Sequence, residues 1–342
     1  MMQKIYKNLI FTLIIALALL ILAIVISFFI SRFLPGDPVL AYLPEGHIDW
    51  NEYEAMKEQL GLNQPIIIQF FLFAFRMLSG DWGLSLSIAR GLPVQSLISV
   101  TLPRTLDLII LPLIIGLFLG LILGKFSVKT RSIIGNRSIQ VLSLIGFAFP
   151  IFLLAMLFQY FLGYVVPIFP ATGYKSLTYP DPPLVTGFPA IDSLLSGQLY
   201  LLTDYLYHLV LPWITLTIFI TVFTIILVRS YLINQLNHIE DGETRSIVPF
   251  TFQVGLGFAI IFAVLMVTET MFGFNGIGQL LLNAINYSDY YVINGVLFLI
   301  SISFVLLITI SLLLFILFGK VKSQSFSKRL SISQMDNEVK LT

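Results

Sequence analysis

The chain has 342 residues, 57% of them hydrophobic and only 11% charged, where a soluble domain carries roughly 25% charged residues. Its 19 Lys and Arg and 18 Asp and Glu, with a net charge of +1, are too few to clothe a water-soluble protein of this length and leave no basic footprint for nucleic acid. The fold class is all-α, a polytopic membrane protein, and with no cysteine the chain has neither disulfides nor thiolate chemistry.

An apolar run of about 18 or more residues crosses the hydrocarbon core as a helix. The first such run covers 10–30 and follows Lys4 and Lys7. It is too long for the apolar core of a cleaved leader and reads as a retained span. The segment 35–104 then carries two short helices. Asp49 with Glu52 three residues on has the form of a capping box, and Gly61 suits a helix end. Pro65 suits the start of a second helix that is too apolar to stand in water.

Further spans are predicted over 106–124, 139–166, 209–228, 247–268 and 292–318. The core of five helices occupies 105–320, after a tail and first helix over 1–34, and a tail over 321–342 ends the chain. Lys and Arg mark the cytoplasmic side. Lys125, Lys129, Arg131 and Arg137 crowd one link, and Lys320, Lys322, Lys328 and Arg329 follow the last span. With six spans these segments and Lys4 and Lys7 share a side, so both termini are expected inside. The opposite segments are acid-rich, from Asp37 to Asp81 and again at Asp181, Asp192 and Asp204. The segment 167–208, rich in Pro, Gly and Tyr, reads as an ordered cover without a core of its own.

Catalytic and metal-binding patterns are missing. His47, His208 and His238 are scattered, and no paired His or HExxH exists. Gly120 to Lys125 imitates a phosphate loop, but the glycines stand too close and Phe126 replaces the required hydroxyl. No metal, no cofactor and no enzyme activity are expected. Gly116, Gly120 and Gly124 repeat every four residues, which places them on one helix face for close packing. Asp107, three residues after Arg104, is expected to pair with it. Glu269 sits at a span end, where a structural role outweighs a proton relay. Gln159, Thr251, Gln253, Thr268 and Glu269 are the polar residues nominated for a translocation path.

Several short motifs occur in a telling order. They are Phe33-Leu34-Pro35-Gly36-Asp37-Pro38, Leu60-Gly61-Leu62-Asn63-Gln64-Pro65 and Gly80-Asp81-Trp82-Gly83-Leu84-Ser85. Thr101-Leu102-Pro103-Arg104-Thr105-Leu106-Asp107-Leu108 and Phe169-Pro170-Ala171-Thr172-Gly173-Tyr174 follow. Glu269-Thr270-Met271-Phe272, Gly276-Ile277-Gly278-Gln279-Leu280 and Asp289-Tyr290 complete the series. In this order the chain resembles the B-type permease subunit of dipeptide/oligopeptide/nickel ABC importers. That resemblance implies a type I permease of six helices. It implies a second homologous permease, two cytoplasmic ATPase subunits and an extracytoplasmic solute-binding protein as partners, all set in membrane lipid, with no nucleic acid. Peptides or similar small solutes are the implied cargo, with nickel or oligosaccharides as the alternative.

One segment departs from the family. Between spans four and five the family carries a basic, Ala- and Gly-containing coupling helix that docks in the ATPase. Here the approach, Arg229, Asn234 and Asn237, is followed by Glu240 and Gly242 and then directly by Arg245. The core of that helix is missing and acid stands where base is expected. The rival reading is therefore a permease-like subunit that does not couple.

Overall fold

A computed structural model of the protein describes residues 2–33, 37, 39–40, 49–59, 61–130, 133–241 and 247–313, with side chains left aside at 2–9, 11, 31–33, 59, 133 and 234–254. Among these the fold is helical, and a lone antiparallel bridge, Leu84 to Pro93, is the whole of the extended pairing. In chain order the helices are α1 (Met2–Phe33), α2 (Trp50–Gln59), α3 (Ile66–Ser79), α4 (Val94–Lys129), α5 (Ile133–Ala148) and α6 (Ile151–Phe158), which continues as a π-helix over Gln159–Val165. Then come α7 (Pro189–Leu195), α8 (Leu199–Asp241), α9 (Ile247–Phe272), α10 (Ile277–Asn286) and α11 (Tyr290–Leu313).

Five helices, α1, α4, α8, α9 and α11, are long and apolar enough to cross a membrane, and the bent α5–α6 pair, with the π-helix that continues it, meets the same criterion when taken together. The predicted third span over 139–166 is thus corrected: it is broken, with α5 and α6 bent by 89°. Pro150 is the reason, since it has no N–H to give the preceding turn and starts a new helix instead. Two other spans are longer than predicted. The second starts at Val94 rather than 106, and the fourth at Leu199 rather than 209. Charge at Arg104, Asp107 and His208 ends the apolar run but not the helix, because each group finds a partner inside the fold.

The described chain divides into two compact units. One comprises α1 through Ile30, α9 through Ala259 and α11 from Leu297; the other comprises the rest. In the first unit the ring of Phe304 lies 3.3 Å from where a Cβ on Gly255 would be, and its centroid is 5.7 Å from that of Phe258. In the second unit α4 and α8 form the spine. Gly116, Gly120 and Gly124 are the reason they approach so closely. A Cβ on Gly116 would stand 2.8 Å from the Cβ of Ile220, and one on Gly124 would stand 2.9 Å from that of Val228. Around this seam lies a core of Leu108, Leu209, Leu211, Leu216, Ile220, Phe272 and Phe274.

The longer connections of this unit, 61–93, 166–198 and 273–289, come together through the Ser85–Asp289 and Gly173–Phe272 bonds, at what is called the loop side below. There α2 begins at Asp49, whose carboxylate takes the Asn51 N–H at 2.8 Å. It ends on Gly61, in a left-handed turn (φ 68°), with Leu62 N–H closing on Lys57 O. Asp49 and Gly61 hold the roles predicted for them at the ends of α2, and Pro65 precedes α3 as expected.

Candidate functional site

The motifs that ran in order along the sequence meet at the loop side, around two buried carboxylates. Glu269, in the last turn of α9, has no solvent exposure. Its Oε1 accepts the Thr105 hydroxyl of α4 at 2.6 Å, and its Oε2 accepts the Gln279 N–H at 3.1 Å, beside the N–H of Gly278. The Thr105 oxygen in turn accepts the Ile277 N–H at 2.8 Å. Together they satisfy the first N–H groups of α10, which have no partner within their own helix. The approach requires glycine twice. A Cβ on Gly276 would overlap Glu269 and lie 2.5 Å from Thr105, and one on Gly278 would lie 2.6 Å from Met266.

The last carbonyls of α9 are closed from elsewhere. Gln159 Nε2 donates to Met271 O at 2.6 Å and to Ala171 O at 3.0 Å. Gly173 N–H, in a left-handed turn (φ 89°), donates to Phe272 O at 2.7 Å. Phe274 N–H turns back to Glu269 O at 2.8 Å. A span end without water needs every such carbonyl paired, and three segments supply the donors.

Asp289 is the second carboxylate, equally buried. It precedes α11 and caps it, with Val292 N–H at 3.4 Å from Oδ1. Its Oδ2 gathers the Ser85 hydroxyl at 2.5 Å and the N–H groups of Leu86, Ser87 and Ile88 at 3.0, 3.0 and 3.2 Å. One side chain therefore fixes the loop after α3 to the start of α11. Ser288 beside it sits at φ 52°, a left-handed position filled without glycine.

Asp107 does not pair with Arg104, contrary to expectation. Its carboxylate takes the Tyr205 hydroxyl at 3.1 Å and the Ala190 N–H, and its carbonyl takes the Trp213 indole N–H at 3.0 Å. Arg104 instead lies over the ring of Tyr174, 4.5 Å from the centroid. Spacing of three allowed the ion pair, but the Tyr205 hydroxyl of α8 takes the carboxylate instead. Tyr174 donates its hydroxyl to Asp181 at 2.6 Å, and burial followed by that bond raises its pKa to about 12. In the same cover segment Asp192 is buried. Burial pushes its carboxyl up, yet the Thr186 hydroxyl at 2.7 Å and the N–H groups of Thr186, Val185 and Gly187 outweigh it and hold the pKa below the ordinary value.

On the opposite side Arg229 is also buried. Its Nη1 donates to the Ser127 hydroxyl and to Asn136 Oδ1 at 2.7 Å, and Nη2 donates to Gln140 Oε1 at 3.2 Å. It pins α4, α5 and α8 together, with only neutral acceptors, rather than standing free on a loop. Helix α8 runs on through Asn234, Asn237 and Glu240 to Asp241. The side chains of these three, with Gly242 and Arg245 entirely, lie outside the described residues. So do the side chains of Thr251 and Gln253. Thr268 is buried and donates to Val264 O of its own helix at 2.8 Å. The structure thus brings Gln159 and Glu269 together at one helix end, and each spends polar atoms within the fold. Sequence reasoning nominated these two but missed Thr105, Ser85 and Asp289. An Asp directly before an apolar run is a helix-start signal that could have found the last.

These arrangements hold segments in place, and the chain as a whole is similar to known transport proteins. The sequence pattern of the binding-protein-dependent transport system inner membrane component matches residues 116–239. The chain is 30% identical over 272 residues to the peptide transport system permease protein SapB of Haemophilus influenzae, covering 72% of this chain and 83% of that one. It is 28% identical over 316 residues to the di/tripeptide transport system permease protein DppB of Pseudomonas aeruginosa, 86% of this chain and 91% of that one. The putrescine export system permease protein SapB of Escherichia coli is 29% identical over 234 residues, 63% and 73% of the two chains. With these relatives and the helical spans, the chain belongs to the binding-protein-dependent transport system inner membrane components, as a transmembrane permease subunit of an ABC importer.

Proposed function

We propose that the chain forms half of the import path for short peptides, beside a second homologous permease. Two ATPase subunits bind it at the short links after α4 and after α8, and a solute-binding protein docks at the loop side. The observation that carries the cargo is that relatives matching most of the chain are named for peptide or di/tripeptide transport. The charge asymmetry supports the orientation: both termini inside, the segment 35–104 and the cover segment outside, the core over 105–320 and a cytoplasmic tail over 321–342.

In this reading the loop-side carboxylates are positioning groups. Glu269 and Asp289 join the ends of α9 and α11 to α4, α10 and the loop after α3, so those parts move as one when a binding protein docks. Gln159, Thr268 and Glu269 serve this frame rather than touching cargo, which the use of their polar atoms supports. Toward the ATPase, the end of α8 with Asn234, Asn237 and Glu240, then Gly242 and Arg245, is the handle, and Arg229 anchors it.

A second reading has a specific observation behind it. Only residues 242–246 separate α8 from α9, which leaves no length for a separate coupling helix and supports a subunit that does not couple. Reconstitution decides between them. With the second permease, the ATPase pair and the binding protein in vesicles, peptide-loaded binding protein should raise ATP hydrolysis several-fold. No rise would sink the coupled importer, and a binding protein that retains a polyamine instead of peptide would replace the cargo.

A further inference from the structure

Helix α3 is built inside out. Its inward face carries Gln69, Phe73, Ala74 and Met77, with Met77 buried. Its outward face is Ile67, Ile68, Phe71, Leu72, Phe75 and Leu78, each exposed, Phe75 at 72%. That face holds no polar atom. A protein partner of ordinary composition would present roughly one hydrogen bond per 100–200 Å² and find nothing here to meet it. Hydrocarbon asks for none.

Polar side chains beside the face donate within the chain, while Gln69 Oε1 is buried without a partner. Gln69 Nε2 donates to Leu62 O at 3.1 Å and to Gln64 O at 2.6 Å. The Ser79 hydroxyl, though its residue is exposed, donates back to Arg76 O at 3.0 Å. The carbonyls at the end of α3, which in water would be left to solvent, are taken up by the protein. Asp81 N–H closes on Arg76 O at 3.0 Å, the Trp82 indole N–H donates to Met77 O at 3.2 Å, and Gln95 Nε2 donates to Gly80 O. Such sealing is what a medium poor in hydrogen-bond partners demands.

Gln95 lies in the first turn of α4, so the end of α3 is tied to that helix. Trp82, suited to the headgroup layer, follows directly.

We infer that α3 is an interfacial helix, lying in the boundary between headgroups and acyl chains with Ile67, Phe71 and Phe75 toward the lipid, and that the partner of this face is the phospholipid bilayer itself. The inference stands on α3 alone and is independent of the cargo and of ATPase coupling.

The chain has no cysteine, so Phe71→Cys and Phe75→Cys each give one attachment point for a nitroxide spin label. The labelled chain is assembled with a second permease and an ATPase pair made cysteine-free, in phosphatidylcholine and phosphatidylglycerol vesicles. Asn51→Cys in the charged helix α2 serves as the aqueous reference. Lipid contact predicts that labels at 71 and 75 are accessible to oxygen and shielded from a water-soluble nickel chelate, their oxygen-to-nickel ratio several-fold above that at 51. Free access of the nickel chelate at 71 and 75 would overturn the inference in favour of an aqueous face. Immobile labels shielded from both reagents would overturn it in favour of a protein subunit seated on α3.

Discussion

Glu269 shows how much one side chain can hold. Its two oxygens serve Thr105, Gly278 and Gln279, so Glu269→Ala orphans three donors, each costing about 1–3 kcal/mol when left buried. Glu269→Gln keeps the shape, loses the charge opposite the start of α10 and is expected to cost less. The thermal midpoints of the purified chain in detergent should rank wild type, Gln, Ala in falling order. Tyr174 allows a test by pH. Its pKa is raised to about 12, so what its hydroxyl contributes is fully present below the ordinary tyrosine value near 10 and is lost as pH rises through 12. The tyrosinate absorbance that Tyr174→Phe removes should therefore appear only toward pH 12 in the folded chain. Its appearance near pH 10 would show that the ring is not held as described.

Between helices, the seam of α4 and α8 depends on small residues rather than on polar bonds. A Cβ on Gly120 would overlap Thr224 and lie 2.9 Å from the carbonyl of Thr221. Backbone cannot move aside as a side chain can, so Gly120→Ala should cost about 1–3 kcal/mol, read as a lower midpoint in the same melts. Gly61, whose Cβ would meet open space, carries no such constraint beyond its φ of 68°. At the other end of the seam Arg229 presents a planar fork to Ser127, Asn136 and Gln140. Lysine carries its three N–H donors on a single nitrogen and cannot reproduce the planar two-nitrogen spread that reaches these acceptors. Arg229→Lys should loosen α5, seen as faster amide exchange over 134–140 with exchange in α7 unchanged. A uniform rise across both helices would argue against a local pin.

For the molecule as a whole, the departure between α8 and α9 sets the decisive measurement. Grafting an Ala- and Gly-containing coupling core between Asn237 and Arg245 should raise binding-protein-stimulated ATP hydrolysis if coupling is impaired, and leave it unchanged if the end of α8 already serves. The sequence carried the helical class, the six apolar runs and the short caps of α2 and α3, because these depend on neighbours in the chain. It did not carry the site. The Thr105–Glu269 contact joins residues far apart in sequence, and Asp289 serves a loop near residue 86. Local spacing instead suggested that Arg104 pairs with Asp107, where Tyr174 and Tyr205 intervene. The bend at Pro150 was equally hidden, since an apolar run looks the same whether the helix within it is straight or broken.

The end of α9 invites a kinematic thought. Glu269, Met271 and Phe272 are fastened by Thr105, Gln159, Gly173 and the start of α10. A rod clamped at one end can swing only about the clamp. The part of α9 in this unit, Ile260–Phe272, is about 20 Å long, so a tilt of about 10° at the clamp sweeps its far end through about 3 Å. The loop side is then the fulcrum and Ile260 the end of the moving arm, so a small twist at a docking surface reaches the middle of α9 as a larger displacement.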